Sequence, residues 1–225
     1  MHTEVLGGIR GYLLADLASL IPCSGSYLAG GTALSLQTGW RESFDFNFFT
    51  PTDFNPSWLL QRLRTLPYPV TPVNVTGGTC DVDVAGVQVS YFYYPYPTYA
   101  LVEGAPDFPG LSLAGVDDIA CMKAIAIAQR GSRKDFYDLY NILREFGHSP
   151  ETLVDLLVGK FGSTDMLSNV GMALSYFEDA EREVLPKTFV PEDWDAEKGF
   201  FRDYGIRFLE AALRRPGNVG GDPEL

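Results

Sequence analysis

The chain is poor in the residues on which several common chemistries depend. Its three cysteines, Cys23, Cys80 and Cys121, are scattered, with no C-x-x-C spacing. That indicates neither a zinc site nor a disulfide framework, and the expected role is packing as small apolar side chains. Histidine occurs only at His2 and His148, and no serine, histidine and acid can be placed together, so hydrolysis by a nucleophilic triad has no support. No apolar run approaches the length of a membrane span, and Met1-His2-Thr3-Glu4 lacks a basic region followed by an apolar core. The expectation is a cytoplasmic protein, mature from Met1. Basic residues are also scarce, 17 against 29 acidic, giving a net charge of -12 and a pI near 4.5. Such a surface argues against broad, nonspecific affinity for nucleic acid. A local basic groove is still allowed, and the densest basic patch is Arg130-Gly131-Ser132-Arg133-Lys134.

What is present is enough apolar material to build a core, 46% of 225 residues. Apolar residues at Leu6, Ile9, Leu13, Leu17 and Leu20 suit an amphipathic N-terminal helix over 4–20, with a turn at 22–26. Ser57 is a plausible cap for a helix through Leu66. Residues 73–84 and 87–94 alternate like strands joined at Ala85-Gly86. From Val116 the periodicity turns helical, over about 116–130, 133–146, 150–160, 164–183 and 196–214. The pattern predicts an α/β (α+β) protein, a small mixed sheet with flanking helices over residues 1–110 and a helical unit over 111–215. Residues 216–225 read as a mobile tail.

Two segments carry chemistry. The first runs from Gly30-Gly31-Thr32 to Arg41-Glu42-Ser43-Phe44-Asp45-Phe46-Asn47. Paired glycines let backbone approach a ligand closely or take positive φ. Thr32 is placed to cap a short helix from Ala33 to about Thr38, and helix N-termini favour phosphate. Period-2 alternation puts Phe44, Phe46 and Phe48 on one strand face and Asp45 and Asn47 on the other, side by side as two oxygen ligands. The second segment is Ile119 to Ala128, in which Lys123 is the only charge. An ammonium there must snorkel or meet phosphate or carboxylate in the cleft expected between the two units. Asp135, three residues after Ser132, is either part of an N-cap arrangement or such a carboxylate, and Asp138 follows on the same face.

Glycine pair, short helix and a strand with alternate acids form the layout of a polymerase-β-like nucleotidyltransferase. More closely, Gly30-Gly31-Thr32 with Gly39 to Asn47 resembles the AbiEii family of bacterial nucleotidyltransferase-like toxins. The stretch Met122 to Tyr140, with Lys123, Arg130-Gly131 and Asp135 to Asp138-Leu139, is similar to that family's downstream block. The resemblance spans about residues 5–146. It implies nucleotidyl transfer from an NTP with Mg²⁺, with tRNA as acceptor for some relatives and an antitoxin protein as partner. It carries over Gly31 and Thr32 as phosphate-loop residues, and as catalytic residues Asp45, the metal ligand, Lys123, a phosphate contact, and Asp135, the downstream carboxylate. Gly30, Arg41, Ser43 and Arg130 join them as nucleotide-binding candidates.

The chain departs from the family pattern twice, with Trp40 for a histidine and Asn47 for the second aspartate. An Asn carbonyl can coordinate magnesium but forfeits a charge interaction of about 4 kcal/mol at 4 Å and an effective dielectric near 20. The expected position for a third acid, Ser90, is not acidic; Asp81 and Asp83, which share a face, read as solvated strand residues in preference to metal ligands. Tyr91 to Tyr96 suit either a base stack or a sheet cover. The alternative function is therefore a catalytically impaired protein of this fold that binds nucleotide or a protein partner.

Overall fold

A computed structural model describes residues 1–20, 25–184 and 193–215. The chain divides into two units, Met1–Ile119 and Ala120–Leu225, each described by itself. The first holds a 3-10 turn, Thr3–Val5, then α1 (Ile9–Ala18), β1 (Tyr27–Ala29), α2 (Gly30–Thr38), β2 (Phe46–Thr50) and α3 (Pro56–Leu63). There follow β3 (Val70–Thr76), β4 (Thr79–Val84), β5 (Val87–Tyr93), β6 (Leu101–Glu103) and β7 (Ser112–Ala114).

All seven strands form one mixed sheet in the order β3-β4-β5-β2-β1-β7-β6, with β2/β5 and β1/β7 parallel and the other neighbours antiparallel. One face supplies the core: Phe46 and Phe48 of β2, Cys80 and Val82 of β4, and Val89 and Tyr91 of β5 are buried. Burying these six withdraws water from large contiguous apolar area, which drives the sheet's assembly. Burial also holds the Cys80 thiol un-ionised, pushing its pKa up to about 11.

The sequence expectations hold for most elements and fail at specific places. Phe44 is not on the buried face: it precedes β2 and is exposed, with the Arg10 guanidinium 4.5 Å over its ring. Residues 73–84 are two strands, because Gly77-Gly78 turns the chain with positive φ at Gly78. α3 is capped by Asn55, whose side chain accepts from Trp58 N, with Pro56 in the first turn; Ser57 lies inside the helix. The turn expected at 22–26 falls partly, and the expected tail wholly, outside the described residues.

α4 (Val116–Arg130) spans the division between the units. The second unit continues with α5 (Arg133–Glu145), α6 (Pro150–Phe161), α7 (Leu167–Ala173), α8 (Glu178–Arg182) and α9 (Trp194–Leu213). The helix expected over 164–183 is two short ones. Its core gathers around Phe136, whose ring lies 5.2–5.8 Å from Phe177, Trp194 and Phe201. α7 meets α9 closely: a Cβ on Gly171 would lie 2.4 Å from the Leu209 side chain.

Candidate functional site

The sequence candidates fall into two groups, one in each unit. In the sheet unit, α2 starts at the glycines themselves. Gly30, at φ +68°, turns the chain out of β1, and Gly31 and Thr32 form the first helical turn. Thr32 is therefore not the cap; its hydroxyl donates to Asp45 O at 2.5 Å, tying α2 to the start of β2. The residue before the helix, Ala29, offers no side-chain cap. The first N–H groups of a nine-residue helix are thus left without a side-chain acceptor from their cap position.

Three side chains crowd those glycines. A Cβ on Gly31 would lie 2.6 Å from Arg41 Nη2 and 2.9 Å from Ser43 Oγ, and one on Gly30 would meet Asn47 Nδ2 at 3.4 Å. At Gly31 a guanidinium and a hydroxyl would have to give way to a Cβ, whereas Gly30 favours glycine for its φ of +68°. Ser43 Oγ donates to Asp45 Oδ1 at 3.1 Å, and Asn47 Nδ2 donates to Asp45 Oδ2 at 3.1 Å. A carboxylate only accepts, so the amide must turn its NH2 toward it. Both Asp45 oxygens thus receive a neutral donor, whereas an aspartate at 47 would set two anions together.

The register extends this row across the sheet. Asn47 is paired with Ser90 on β5, and Ser90 with Asp81 on β4. Asp81 shares the face of Asn47, and its Oδ1 is buried with no hydrogen-bond partner among the described residues. Asp83 has a local explanation: its carboxylate accepts Gly86 N at 2.9 Å in the β4–β5 turn. Among the described residues no three His, Cys, Asp or Glu side chains form a metal-holding group. The donor set fits one hard cation that shares its coordination with phosphate, because magnesium keeps waters and needs only one or two protein carboxylates.

In the helical unit Lys123 lies buried, with Nζ 2.8 Å from Asp135 Oδ1 and 2.7 Å from Asp138 Oδ2. It meets carboxylates and does not snorkel. Arg130 grips Asp135 with two donors, Nε to Oδ2 at 2.8 Å and Nη2 to Oδ1 at 3.0 Å, while its own side chain is largely exposed. Burial pushes the Asp135 pKa up, but the Lys123 and Arg130 charges outweigh it and hold it down at about 2. Ser132 does not cap α5 through its own side chain. The Glu183 carboxylate does so, accepting Arg133 N at 2.8 Å and the Ser132 hydroxyl. The partner's place 51 residues downstream left no local signal for it.

Comparison with known proteins agrees with this architecture. The model of the family described as "Nucleotidyl transferase AbiEii toxin, Type IV TA system" matches residues 64–212. The match runs well past residue 146, and it begins after the glycine pair and Asp45. An uncharacterized protein of Aquifex aeolicus is 38% identical over 202 residues, covering 88% of this chain and 94% of that protein. A solved H. pylori structure described as a "putative nucleotidyltransferase" aligns with a TM-score of 0.51 at 16% identity, over 91% of this chain and 94% of that one, and shares the fold. JHP933 from Helicobacter pylori aligns over 93% and 92%, also at 16% identity, with a TM-score of 0.49. With a family match over most of its length and a sheet that sets glycines, arginine, serine and aspartate together, this chain belongs to the AbiEii nucleotidyl transferase toxin family.

Proposed function

We propose that the protein binds a nucleoside triphosphate at the start of α2 and transfers its nucleotidyl group to an acceptor hydroxyl with release of pyrophosphate, with tRNA the acceptor class and an antitoxin its protein partner. The observation that carries this reading is the convergence of Arg41, Ser43 and Asn47 on Gly30 and Gly31 in a chain of this family. The α2 N-terminus and Arg41 offer positive potential to phosphate. Asp45 is the one carboxylate in this cluster and, with the Asn47 amide carbonyl, would hold magnesium. The ion, when bound, neutralises phosphate charge and sharpens an attacking hydroxyl. Thr32 fixes the distance between helix and strand, and Ser43 orients the Asp45 carboxylate. In the helical unit Lys123 and Asp135 position Arg130, a candidate contact for phosphate in that unit.

Incubation with each labelled NTP, a divalent ion and total RNA tests the reading, with an active family member as control. Labelled RNA is the expected product. Its absence with every NTP and ion would remove the transferase activity. A second reading, nucleotide binding without turnover, is favoured by Asn47, a neutral amide beside Asp45 where the family pattern has a second aspartate. Calorimetry separates the two: the transferase reading expects triphosphate affinity to depend on Mg²⁺, the binding-only reading expects it not to.

A further inference from the structure

The sheet face that carries Asn47 and Ser90 does not stay polar. One step of alternation further along the same strands stand Phe49 and Phe92, direct partners in the β2–β5 ladder. Same-face neighbours on a strand are about 7 Å apart, so this aromatic row lies beside the polar one. Phe49 and Phe92 are 5.3 Å apart between ring centroids. Tyr94 sits edge-on to Phe49 at 5.1 Å, and Tyr96 edge-on to Tyr94 at 4.8 Å. The four rings form a stepped ledge that is half-buried at Phe49, Phe92 and Tyr94 and 38% exposed at Tyr96.

Core packing accounts for one end of the ledge only, where Phe49 stacks on the buried Tyr27 of β1 at 6.0 Å. The opposite face buries Phe46, Phe48, Val89 and Tyr91, whereas from Phe49 outward the rings become more exposed, to 38% at Tyr96. We propose that the ledge is a stacking platform for one nucleobase, set beside the phosphate site of the proposed function and resting on that reading. An aromatic face stacks on any base, because every base has a π-face. Charge favours a base over a long nucleic-acid backbone. In the sheet unit the only lysine or arginine side chains are Arg10, Arg41, Arg62 and Arg64, and acids outnumber them. Phosphates along a strand would find few counter-charges there, whereas a neutral ring needs none. The base belongs either to the bound triphosphate or to the end of the acceptor, and one set of probes distinguishes them.

The test measures binding of three probes by calorimetry: each NTP, inorganic tripolyphosphate, which has no base, and a short single-stranded oligoribonucleotide. Proteins compared are the native chain, Tyr96→Leu, the double variant Tyr94→Leu/Tyr96→Leu, and the corresponding double Phe variant, which keeps both rings. The Leu variants are expected to lose about 5- to 150-fold in affinity for a base-bearing probe, the range for one stacked base. Tripolyphosphate affinity stays unchanged and the Phe variant binds as the native chain does. The probe that loses affinity identifies the source of the base. Unchanged binding of both base-bearing probes by the double Leu variant overturns the ledge, as does native NTP binding no tighter than tripolyphosphate together with no oligonucleotide binding. Base-bearing probes that bind through the ledge while tripolyphosphate does not bind would instead overturn the phosphate site. Failure of all three probes with the native chain overturns both.

Discussion

Two aspartates, Asp45 in the sheet unit and Asp135 in the helical unit, receive opposite treatment. Asp45, just before β2, is part-buried and accepts from the Ser43 hydroxyl and the Asn47 amide. Asp135 is fully buried between an ammonium and a guanidinium. A part-buried carboxylate at the start of a strand can be reached by an incoming cation. One already matched by two cations has spent its charge on holding structure, and its pKa near 2 reflects that. Position 47 sharpens the contrast, since an aspartate there would make Asp45 half of an anion pair that needs a cation to be stable.

Four experiments break or sharpen that contrast. Lys123→Met should do most damage, because it leaves Asp135 and Asp138 buried without the shared ammonium. A loss of about 3–5 kcal/mol in urea unfolding is expected, the cost of stranding a buried charge. Asn47→Asp should cost about 1–4 kcal/mol without divalent ion, the range for like charges 4 Å apart between bulk water and a partly buried site. Added Mg²⁺ should recover the loss as a rise in melting temperature, while the native chain gains less.

Third comes pH. The folded pKa of Asp135, about 2, lies below the ordinary carboxyl value of 3.8, so its contribution is present above pH 4 and is lost as pH falls through 2. The contribution is on the order of 2 kcal/mol. Urea unfolding between pH 2 and 5 should show that decline in the native chain and its absence in Asp135→Asn. Smallest in stability is Gly31→Ala, at less than about 1 kcal/mol, because the nearest obstruction is the movable end of Arg41. Its effect should appear in binding: tripolyphosphate affinity falls about tenfold, the worth of one charge-assisted contact, if Arg41 faces phosphate.

The sequence made visible those features whose signal is local. The spacing of Asp45 and Asn47, the glycine pair, and the lone Lys123 with Asp135 and Asp138 a helix later can all be read from a short window. β1, β6 and β7 could not be, since a three-residue strand is too short to display a period. Thr32 was misassigned because a threonine after two glycines reads as a cap; only the fold shows that its hydroxyl is claimed by Asp45 O. Likewise the cross-strand row of Asn47, Ser90 and Asp81, and the aromatic row beside it, exist only once β2 lies parallel to β5.

The Lys123–Asp135 contact also bears on how the chain assembles. Its partners are twelve residues apart and Arg130 is five from Asp135, with the turn at Gly131 between the two helices. Loops of about ten residues close in roughly 10–100 ns, so the α4–α5 hairpin can find its ion network early. The ladder that sets Asn47 beside Ser90 must first bring in β5 from beyond α3, β3 and β4. Local contacts form faster than distant ones, so the helical hairpin should be protected from hydrogen exchange before the strands around Asp45 are.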